Sequence, residues 1–344
     1  MNTSIKRRAG LFLALFVAGL TGAPAWAAEE IMVEIVTIGT RTAGRTVDES
    51  PVPVDLLSSE ALTKTGQTEV GRMLQSLAPS FNFSSSTISD GTDSLRPATL
   101  RGLGPDQTLV LVNGKRRHGS ALVHVNTSVG RGTAGTDLNA IPASSIKRIE
   151  ILRDGAAAQY GSDAIAGVIN IVLKDNSEGG QISTSYGQYS KGDGETFVAS
   201  LNQGLEIGDG GSLNLDVEYR NRGRTNRAGL TGTCQYVGSC SDIGGGVMQT
   251  TDAREIIFNR QNFRIGDAES DQFSAVANFS IPIVDDVELY LFSTYSDTDS
   301  TSGGFYRRAN QPELNPVFEF DGTTPVNDGD AFYADGFLPL INTD

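Results

Sequence analysis

The chain has 344 residues, of which 38% are hydrophobic and 20% are charged, and its 41 acidic and 27 basic residues give a net charge of −14. This apolar content excludes wholesale disorder, and the acidic balance disfavours a nucleic acid as partner. Two cysteines are too few for a disulfide-framework protein, and with two histidines they leave a Cys/His zinc cluster almost no ligands to draw on.

The first 27 residues are predicted to be a secretory signal peptide. Three basic residues at 6–8 precede an uncharged apolar run from Ala9 to Leu20, and Ala25-Trp26-Ala27 supplies the small residues of a cleavage site before Ala28. An N-terminal membrane anchor is the alternative, but the run is short for a bilayer helix. Without residues 1–27 the chain has 24 basic and 41 acidic residues, or a net charge of −17.

Export leaves three destinations, which are secretion, the periplasm and the outer membrane. The sequence after the signal contains no apolar run of helix length, so only a β-barrel could span a membrane. The pattern of strands must therefore decide between these destinations.

Residues 28–50 are predicted to form a flexible arm. They are polar and rich in Gly and Thr around one apolar run, Glu34–Ile38, and Pro51 and Pro53 follow them. Taken alone, that run is also compatible with an ordinary edge strand.

Residues 51–174 have the pattern of a mixed α/β domain. Two helices are predicted, at Ser59–Thr63 and at Thr68–Leu77, with Thr68 as the N-cap of the second. Three strands are predicted, at Thr108–Val112, Ile146–Leu152 and Ala166–Leu173. The polar stretch between Asn113 and Asn139 has almost no periodicity, which is typical of a functional or mobile loop.

After residue 174 the sequence changes to alternating apolar and polar residues. Five such segments are predicted as strands, at Gln181–Tyr189, Thr196–Asn202, Ser212–Arg220, Gln272–Ile281 and Val287–Tyr295. Tight turns on one side and long polar loops on the other are typical of an outer-membrane β-barrel. A soluble β-sandwich gives similar alternation in each single strand, but not this sidedness of the loops.

Four stretches together resemble a known family, namely Glu34–Arg41, Leu100–Arg116, Ile149–Asp154 and Gly155–Leu173. In this order they are similar to the N-terminal part of a TonB-dependent outer-membrane receptor, in which a plug domain fills a large barrel. The resemblance implies an α/β plug domain followed by antiparallel transmembrane β-barrel strands. The implied segments are a signal peptide (1–27), an arm with the TonB box (28–50), a plug (51–174) and the beginning of a barrel (175–344).

The resemblance also assigns roles to individual residues. The TonB box, which adds as a strand to TonB in the periplasm, corresponds to Glu34, Ile35, Val36, Thr37 and Ile38, with Ile31–Val33 as a competing register. Contacts between plug and barrel are assigned to Arg101, Glu150 and Arg153, for which surface ion pairs are the alternative. Substrate contact is expected from Phe81–Arg96 and Arg117–Thr136, with Phe81, Phe83, Arg96, Arg117, His118, His124 and Arg131 as candidate residues.

Two pairs of residues in the polar loops invite more specific interpretations. His118 and His124 match no metal-site spacing, so polar loop residues are the simpler interpretation. Cys234 and Cys240 fit a small disulfide loop in an oxidising compartment, with two free thiols as the alternative.

The barrel is expected to be incomplete in this sequence. A barrel that holds a plug needs about 22 strands, whereas 170 residues with about five convincing strands follow Lys174. We therefore expect a truncated receptor.

The leading functional hypothesis is TonB-dependent import of a scarce nutrient across the outer membrane of a Gram-negative bacterium. A ferric siderophore is favoured over cobalamin, haem or an oligosaccharide, and the implied partners are TonB, outer-membrane lipid and the small-molecule substrate. The alternative is an exported plug-like module that binds ligand or relays a signal without transport. The sequence contains none of the common catalytic or dinucleotide-binding motifs, so neither catalysis nor a cofactor is expected.

Overall fold

A computed structural model describes residues 37–38, 53–87, 91–92, 94–125, 128–232, 234, 241–242, 248–249, 253–261, 264–284 and 287–303. The predicted signal peptide, residues 34–36 of the predicted TonB box and the tail after residue 303 lie outside these ranges. Within them, the helices are all too short or too polar to cross a membrane.

The first part of the described chain is an α/β domain with one five-stranded sheet. Its strands and helices are β1 (Val54–Ser58), α1 (Ser59–Lys64), α2 (Val70–Leu77), β2 (Phe81–Phe83), β3 (Ala98–Leu100), β4 (Thr108–Val112), β5 (Lys115–Arg116), β6 (Ile146–Leu152), α3 (Ala157–Tyr160) and β7 (Gly167–Leu173). The sheet order is β1-β6-β7-β4-β5, with β4 and β7 parallel and the other neighbours antiparallel, while β2 and β3 pair separately.

The bounds of β4 and β6 are those predicted from the sequence, but the second helix begins later than predicted. Helix α2 starts at Val70, and Glu69 rather than Thr68 occupies the N-cap position. The Glu69 side chain makes no capping hydrogen bond because it points toward arginines, whereas its backbone carbonyl accepts from the N–H groups of Arg72 and Met73. Thr68 instead offers its carbonyl to Arg220 of a later strand, at 3.1 Å.

The sheet buries apolar side chains on both faces. The larger cluster lies under α1 and α2 and includes Ile149, Ile151 and Ile169. The smaller cluster on the other face includes Leu109, Leu152 and Val168. Both β6 and β7 are therefore buried on two sides, which explains their nearly continuous apolar sequence.

Gly167 allows β7 to pack closely against its neighbours. Its φ is +144°, and a Cβ at this position would overlap the carbonyl oxygen of Leu152 and the side chain of Leu100. A glycine at the start of β7 therefore brings the strand against β6 and β3.

The second part of the described chain is an antiparallel sheet of long strands. These are β8 (Gly180–Gly187), β9 (Thr196–Ile207), β10 (Gly211–Arg222), β13 (Glu269–Val284) and β14 (Val287–Thr301), paired in sequence order. The segment between β10 and β13 carries the two-residue strands β11 (Ser241–Asp242) and β12 (Met248–Gln249) and the helix α4 (Ala253–Ile257). Among the described strands β8 and β14 are the edges, so this sheet is open.

The burial of this sheet is opposite to that of a soluble protein. On β10, the polar residues Asn214, Asp216, Glu218 and Arg220 are buried and face the α/β domain, whereas the intervening Leu213, Leu215, Val217 and Tyr219 are half-exposed. The outward Leu289, Leu291 and Tyr295 of β14 are all more than half exposed. A β-sandwich buries its apolar face, so this inversion excludes the sandwich and matches a lipid-facing barrel wall with a polar interior.

Candidate functional site

The two described residues of the predicted TonB box are docked on the second face of the α/β sheet. Thr37 donates two hydrogen bonds to Glu150 Oε2, from its backbone N–H at 3.1 Å and from its hydroxyl at 2.7 Å. Ile38 is only 1% exposed and packs in the smaller apolar cluster with Val54 and Leu109. This part of the arm is thus held by polar and apolar contacts together.

Glu150 lies at the centre of this docking site. It is fully buried, sits opposite Asn170 in the β6–β7 register, and accepts from Asn170 Nδ2 at 3.2 Å and from Arg148 at 2.9 Å. Its predicted role as a contact to the barrel wall is therefore wrong in this structure. The reason is that Glu150 points to the face of β6 on which the arm lies, so all its described partners belong to the plug sheet and the arm.

A chain of hydrogen bonds leads from the arm to the second sheet. Asn170 donates to the Thr37 hydroxyl at 2.9 Å and accepts from the Gly114 N–H at 3.0 Å. The adjacent Asn113 donates to Asn278 Oδ1 of β13 at 3.1 Å. Asn113 and Gly114 form the predicted turn, with φ values of 47° and 74°. The turn therefore connects the docking site to the wall.

Arg101 and Arg153 make ion pairs inside the α/β domain. Arg101 lies 3.8 Å from Asp154, and Arg153 lies 2.9 Å from Asp55. Both pairs are partly solvent-exposed and therefore contribute little to stability. A contact of either arginine with the barrel wall stays a prediction.

Other residues make the described contacts between the two sheets. Ser144 donates to Asp216 at 2.7 Å, and Arg117 donates to Thr294 at 2.5 Å. The carbonyl of Asn139 accepts from Arg220 at 3.0 Å and from Gln272 at 2.8 Å. Strand alternation predicts which wall residues point inward, but no pattern in the plug sequence identifies their partners.

A buried charged cluster lies where β10 ends and the long segment after it begins. We call it the rim network, and its members are Glu69, Arg72, Arg96, Arg222 and Asp267. Burial alone would raise the pKa of Glu69, but the neighbouring guanidinium groups outweigh burial and hold it at about 2. Glu69 is therefore ionised over the whole physiological range.

Three residues of the first predicted substrate loop are buried in this structure, which corrects that expectation. Phe81 and Phe83 lie on the same face of β2, pack in the larger apolar cluster and are 3% and 2% exposed. Arg96 is also buried, in ion pairs with Glu69 and Asp267. Pairing of β2 with β3 turns both phenylalanines toward α2, so none of the three faces outward.

The second predicted substrate loop contains both buried and exposed candidates. His124 is fully buried, with the Thr92 hydroxyl 3.5 Å from its Nδ1, and burial lowers its pKa. The prediction that His124 contacts substrate at the surface is therefore wrong in this structure. Arg117 is half-buried against β14, whereas His118 and Arg131 are exposed. Substrate contact by these last three residues stays a prediction.

One cavity, of about 230 Å³, lies between the loop before α2 and the ends of β8, β9 and β10. Its charged lining consists of Glu69, Arg72, Arg222 and Asp267. None of the seven candidate substrate residues lines it, so sequence reasoning did not identify this region.

The two cysteines lie in the segment between β10 and β13, whereas the two histidines lie in the loop between β5 and β6. Cys234 is disulfide-bonded, whereas Cys240, the only other cysteine of the sequence, lies outside the described residues. In the described ranges, no group of three or more His, Cys, Asp or Glu side chains is arranged to hold a metal ion.

The α/β domain is similar in sequence to a known family of domains. Residues 46–168 match the family model described as TonB-dependent Receptor Plug Domain. The chain is 27% identical over 189 residues to a ferric enterobactin receptor of Pseudomonas aeruginosa, an alignment that covers 54% of this chain and 25% of the relative. It is 36% identical over 130 residues to a vitamin B12 transporter of Vibrio cholerae, covering 38% and 19%.

Solved structures share the fold. The ferric enterobactin receptor PfeA of Pseudomonas aeruginosa superimposes with a TM-score of 0.55 at 21% identity, over 73% of this chain and 34% of that one. The siderophore receptor PirA of Acinetobacter baumannii gives 0.51 at 22% identity, over 82% and 34%. The chain thus matches about a quarter of the first relative and a third of these structures.

Proposed function

We infer that this chain is part of a TonB-dependent receptor and that it serves energy-coupled import of a small nutrient across the outer membrane of a Gram-negative bacterium. The observation that carries the inference is the arm docked on a plug domain that itself packs against the polar face of an open antiparallel sheet. The exposed apolar side chains on the outer face of that sheet support contact with lipid.

The docked arm supports a mechanism in which release precedes energy coupling. Strand addition to TonB requires free backbone groups, and the Thr37 N–H is occupied by Glu150 in the docked state. Ile38 must also leave its apolar pocket, which costs about 1.5–3 kcal/mol for a side chain of this size. The arm therefore pairs with TonB only after the contacts to Glu150 and the apolar cluster break.

Release of the arm also affects the plug sheet. Glu150 and Asn170 lose the Thr37 hydroxyl as a partner, and Asn170 also holds the turn that contacts Asn278 of β13. Buried polar groups without partners are costly, so undocking loosens the sheet where it meets the wall. This is the proposed route from TonB to plug rearrangement, and it requires no chemistry on the substrate.

A ferric siderophore is the proposed substrate. Support comes from relatives named as a ferric enterobactin receptor and as a probable siderophore receptor of Acinetobacter baumannii, the latter 33% identical over 148 residues. A relative named as a vitamin B12 transporter makes cobalamin the second substrate to test.

The test uses the complete gene product in its native outer membrane, with ferric enterobactin and cyanocobalamin as separate probes. Ile35→Pro and Val36→Pro each remove one backbone N–H. Because successive N–H groups of a strand point to opposite edges, one of these two donors faces TonB when the arm pairs with it. We expect one of the two proline variants to abolish uptake while surface binding persists. Ile35→Ala and Val36→Ala keep the backbone donors and serve as matched controls with normal uptake.

Each other outcome of this test has a definite meaning. Uptake that survives both proline variants but is lost in Met32→Pro moves the box to the register of Ile31–Val33. Surface binding without uptake by the unaltered protein, for both probes, favours the ligand-binding or signal-relay module. Uptake that is unaffected by all three proline variants contradicts TonB-dependent import through this arm.

A further inference from the structure

The rim network joins three parts of the molecule. Glu69 is the N-cap residue of α2 in the plug, Arg222 ends β10 of the wall, and Asp267 lies in the segment that returns from the long loop to β13. Arg72 and Arg96 belong to the plug and contact both carboxylates. The network therefore links plug to wall through Glu69 and plug to loop through Asp267.

Asp267 lies at the base of the long segment between β10 and β13, where hydrogen bonds to Thr225 hold its backbone. Its N–H donates to the Thr225 hydroxyl at 2.8 Å, and its carbonyl accepts from the Thr225 N–H at 3.2 Å. The next residue, Ala268, accepts from Arg222 Nε at 3.1 Å. Hydrogen bonds thus join the two ends of the long segment, next to β10 and next to β13. These bonds hold the backbone of Asp267 in place beside the plug.

The charges of the network make the Asp267 contact difficult to replace. Three guanidinium groups share two carboxylates, and the Arg96 side chain is only 2% exposed. Arg96 also lies over the Phe83 ring, 5.9 Å from its centroid, which ties it to β2. If Asp267 moves away, Arg96 and Arg72 are left with Glu69 as their one shared carboxylate, which is costly for the buried Arg96 and less so for the more exposed Arg72.

We propose that Asp267 is a tether that couples the loop between β10 and β13 to the rim of the plug. Displacement of the base of the loop, where Thr225 and Asp267 are bonded to each other, removes the second carboxylate from Arg96 and Arg72 and so loosens the plug segments that carry them. Loosening of the plug rim, in turn, releases the loop. The tether rests on the proposed function only in treating the α/β domain as a plug that moves.

A second ion pair in the same region provides a matched control. Asp193, between β8 and β9, pairs with Arg227 of the long loop at 2.5 Å, and hydrogen bonding to Arg227 lowers the pKa of Asp193 to about 2. Arg227 also lies over the Tyr189 ring, 5.4 Å from its centroid. This pair joins two loops at the surface and includes no plug residue, so breaking it disturbs a loop without disturbing the tether.

The test is amide hydrogen exchange of the complete gene product in outer-membrane vesicles, comparing Asp267→Asn with Asp193→Asn. We expect Asp267→Asn to speed exchange by about tenfold both in the loop peptide 264–270 and in the plug peptides 69–77 and 94–100. Asp193→Asn is expected to speed exchange only in the loops. Arg72→Gln removes the more accessible guanidinium and is expected to give the pattern of Asp267→Asn with smaller amplitude.

Faster exchange in the loop alone, in both Asp267→Asn and Arg72→Gln, overturns the tether. Unchanged exchange in both variants overturns it as well. If Asp267→Asn does not accumulate in the membrane, Arg72→Gln alone decides between these results. The readout is independent of uptake, so loss of the import proposal leaves the tether standing when plug and loop peptides respond together.

Discussion

Glu150→Ala is expected to destabilise the α/β domain by about 3–5 kcal/mol and to release the docked arm. The substitution leaves the Thr37 hydroxyl, Asn170 Nδ2 and the Arg148 guanidinium without their shared acceptor. Glu150 and Asn170 are fully buried, so water cannot readily replace the carboxylate at Asn170, whereas Thr37 is exposed and Arg148 is 15% exposed. The penalty therefore combines unpaired donors, an uncompensated positive charge and a cavity.

Two measurements separate these effects. Denaturant unfolding of the complete gene product gives the loss of stability, and amide exchange at Thr37 reports release of the arm, because that N–H donates directly to Glu150. Asp55→Ala is the matched control, since Asp55 lies on the neighbouring strand β1 and pairs with Arg153 near the surface. We expect less than about 1 kcal/mol of destabilisation and unchanged exchange at Thr37 for this control.

The docking interpretation fails if Glu150→Ala leaves exchange at Thr37 slow. Retention of the arm would then have to come from Ile38 and its apolar pocket alone. Ile38→Ala decides that point, because it shortens the apolar side chain and keeps every polar contact of Thr37.

The sequence predicts the strands β4, β6 and β7 and the long strands after residue 174 because their patterns are local, whereas the short strands β1, β2, β3 and β5 were not predicted. The bounds of β4 and β6 follow from apolar runs that end at turns, and alternation on β10 identifies Asp216, Glu218 and Arg220 as members of one face. Which face is buried is not local information. It depends on whether the surroundings of the sheet are lipid or water, and the structure answers this through the exposed Leu289 and Leu291.

The candidate site was harder to predict, because its contacts join residues that are far apart in sequence. Glu150 and Thr37 are 113 residues apart, and Glu69 and Arg222 are 153 residues apart. A charged residue in an apolar strand, such as Glu150, signals a buried partner but does not identify it. Phe81 and Phe83 illustrate the opposite error, because aromatic residues beside a polar loop are as compatible with a core strand as with a substrate surface.

Glu69→Gln is expected to have the second large effect, which is a loss of about 3–5 kcal/mol in the free energy of unfolding, because the ion pairs that hold the plug to the wall are broken. The substitution keeps the shape of the side chain but leaves Arg72 and Arg96 with Asp267 as their remaining carboxylate and removes the ion pair of Arg222. Among the described residues the Asp267 carboxylate forms ion pairs with Arg72 and Arg96 and not with Arg222, so the ion pair that joins the plug to β10 is lost. Glu60→Gln, which breaks an exposed pair with Lys64 on α1, is the matched control and is expected to give no measurable change.

The pH dependence tests the same prediction in the unaltered protein. The pKa of Glu69 is about 2 in the folded state, below its ordinary value of 4.5, so the folded state binds a proton less readily than the unfolded chain. The stabilisation is therefore complete above about pH 4.5 and is lost as the pH falls through about 2. We expect the free energy of unfolding of the unaltered protein, measured with denaturant, to fall as the pH falls through this range. The same plot of unfolding free energy against pH is expected to be flatter for Glu69→Gln. Parallel curves for the two proteins would contradict the assignment, because the acid sensitivity would then come from other carboxylates.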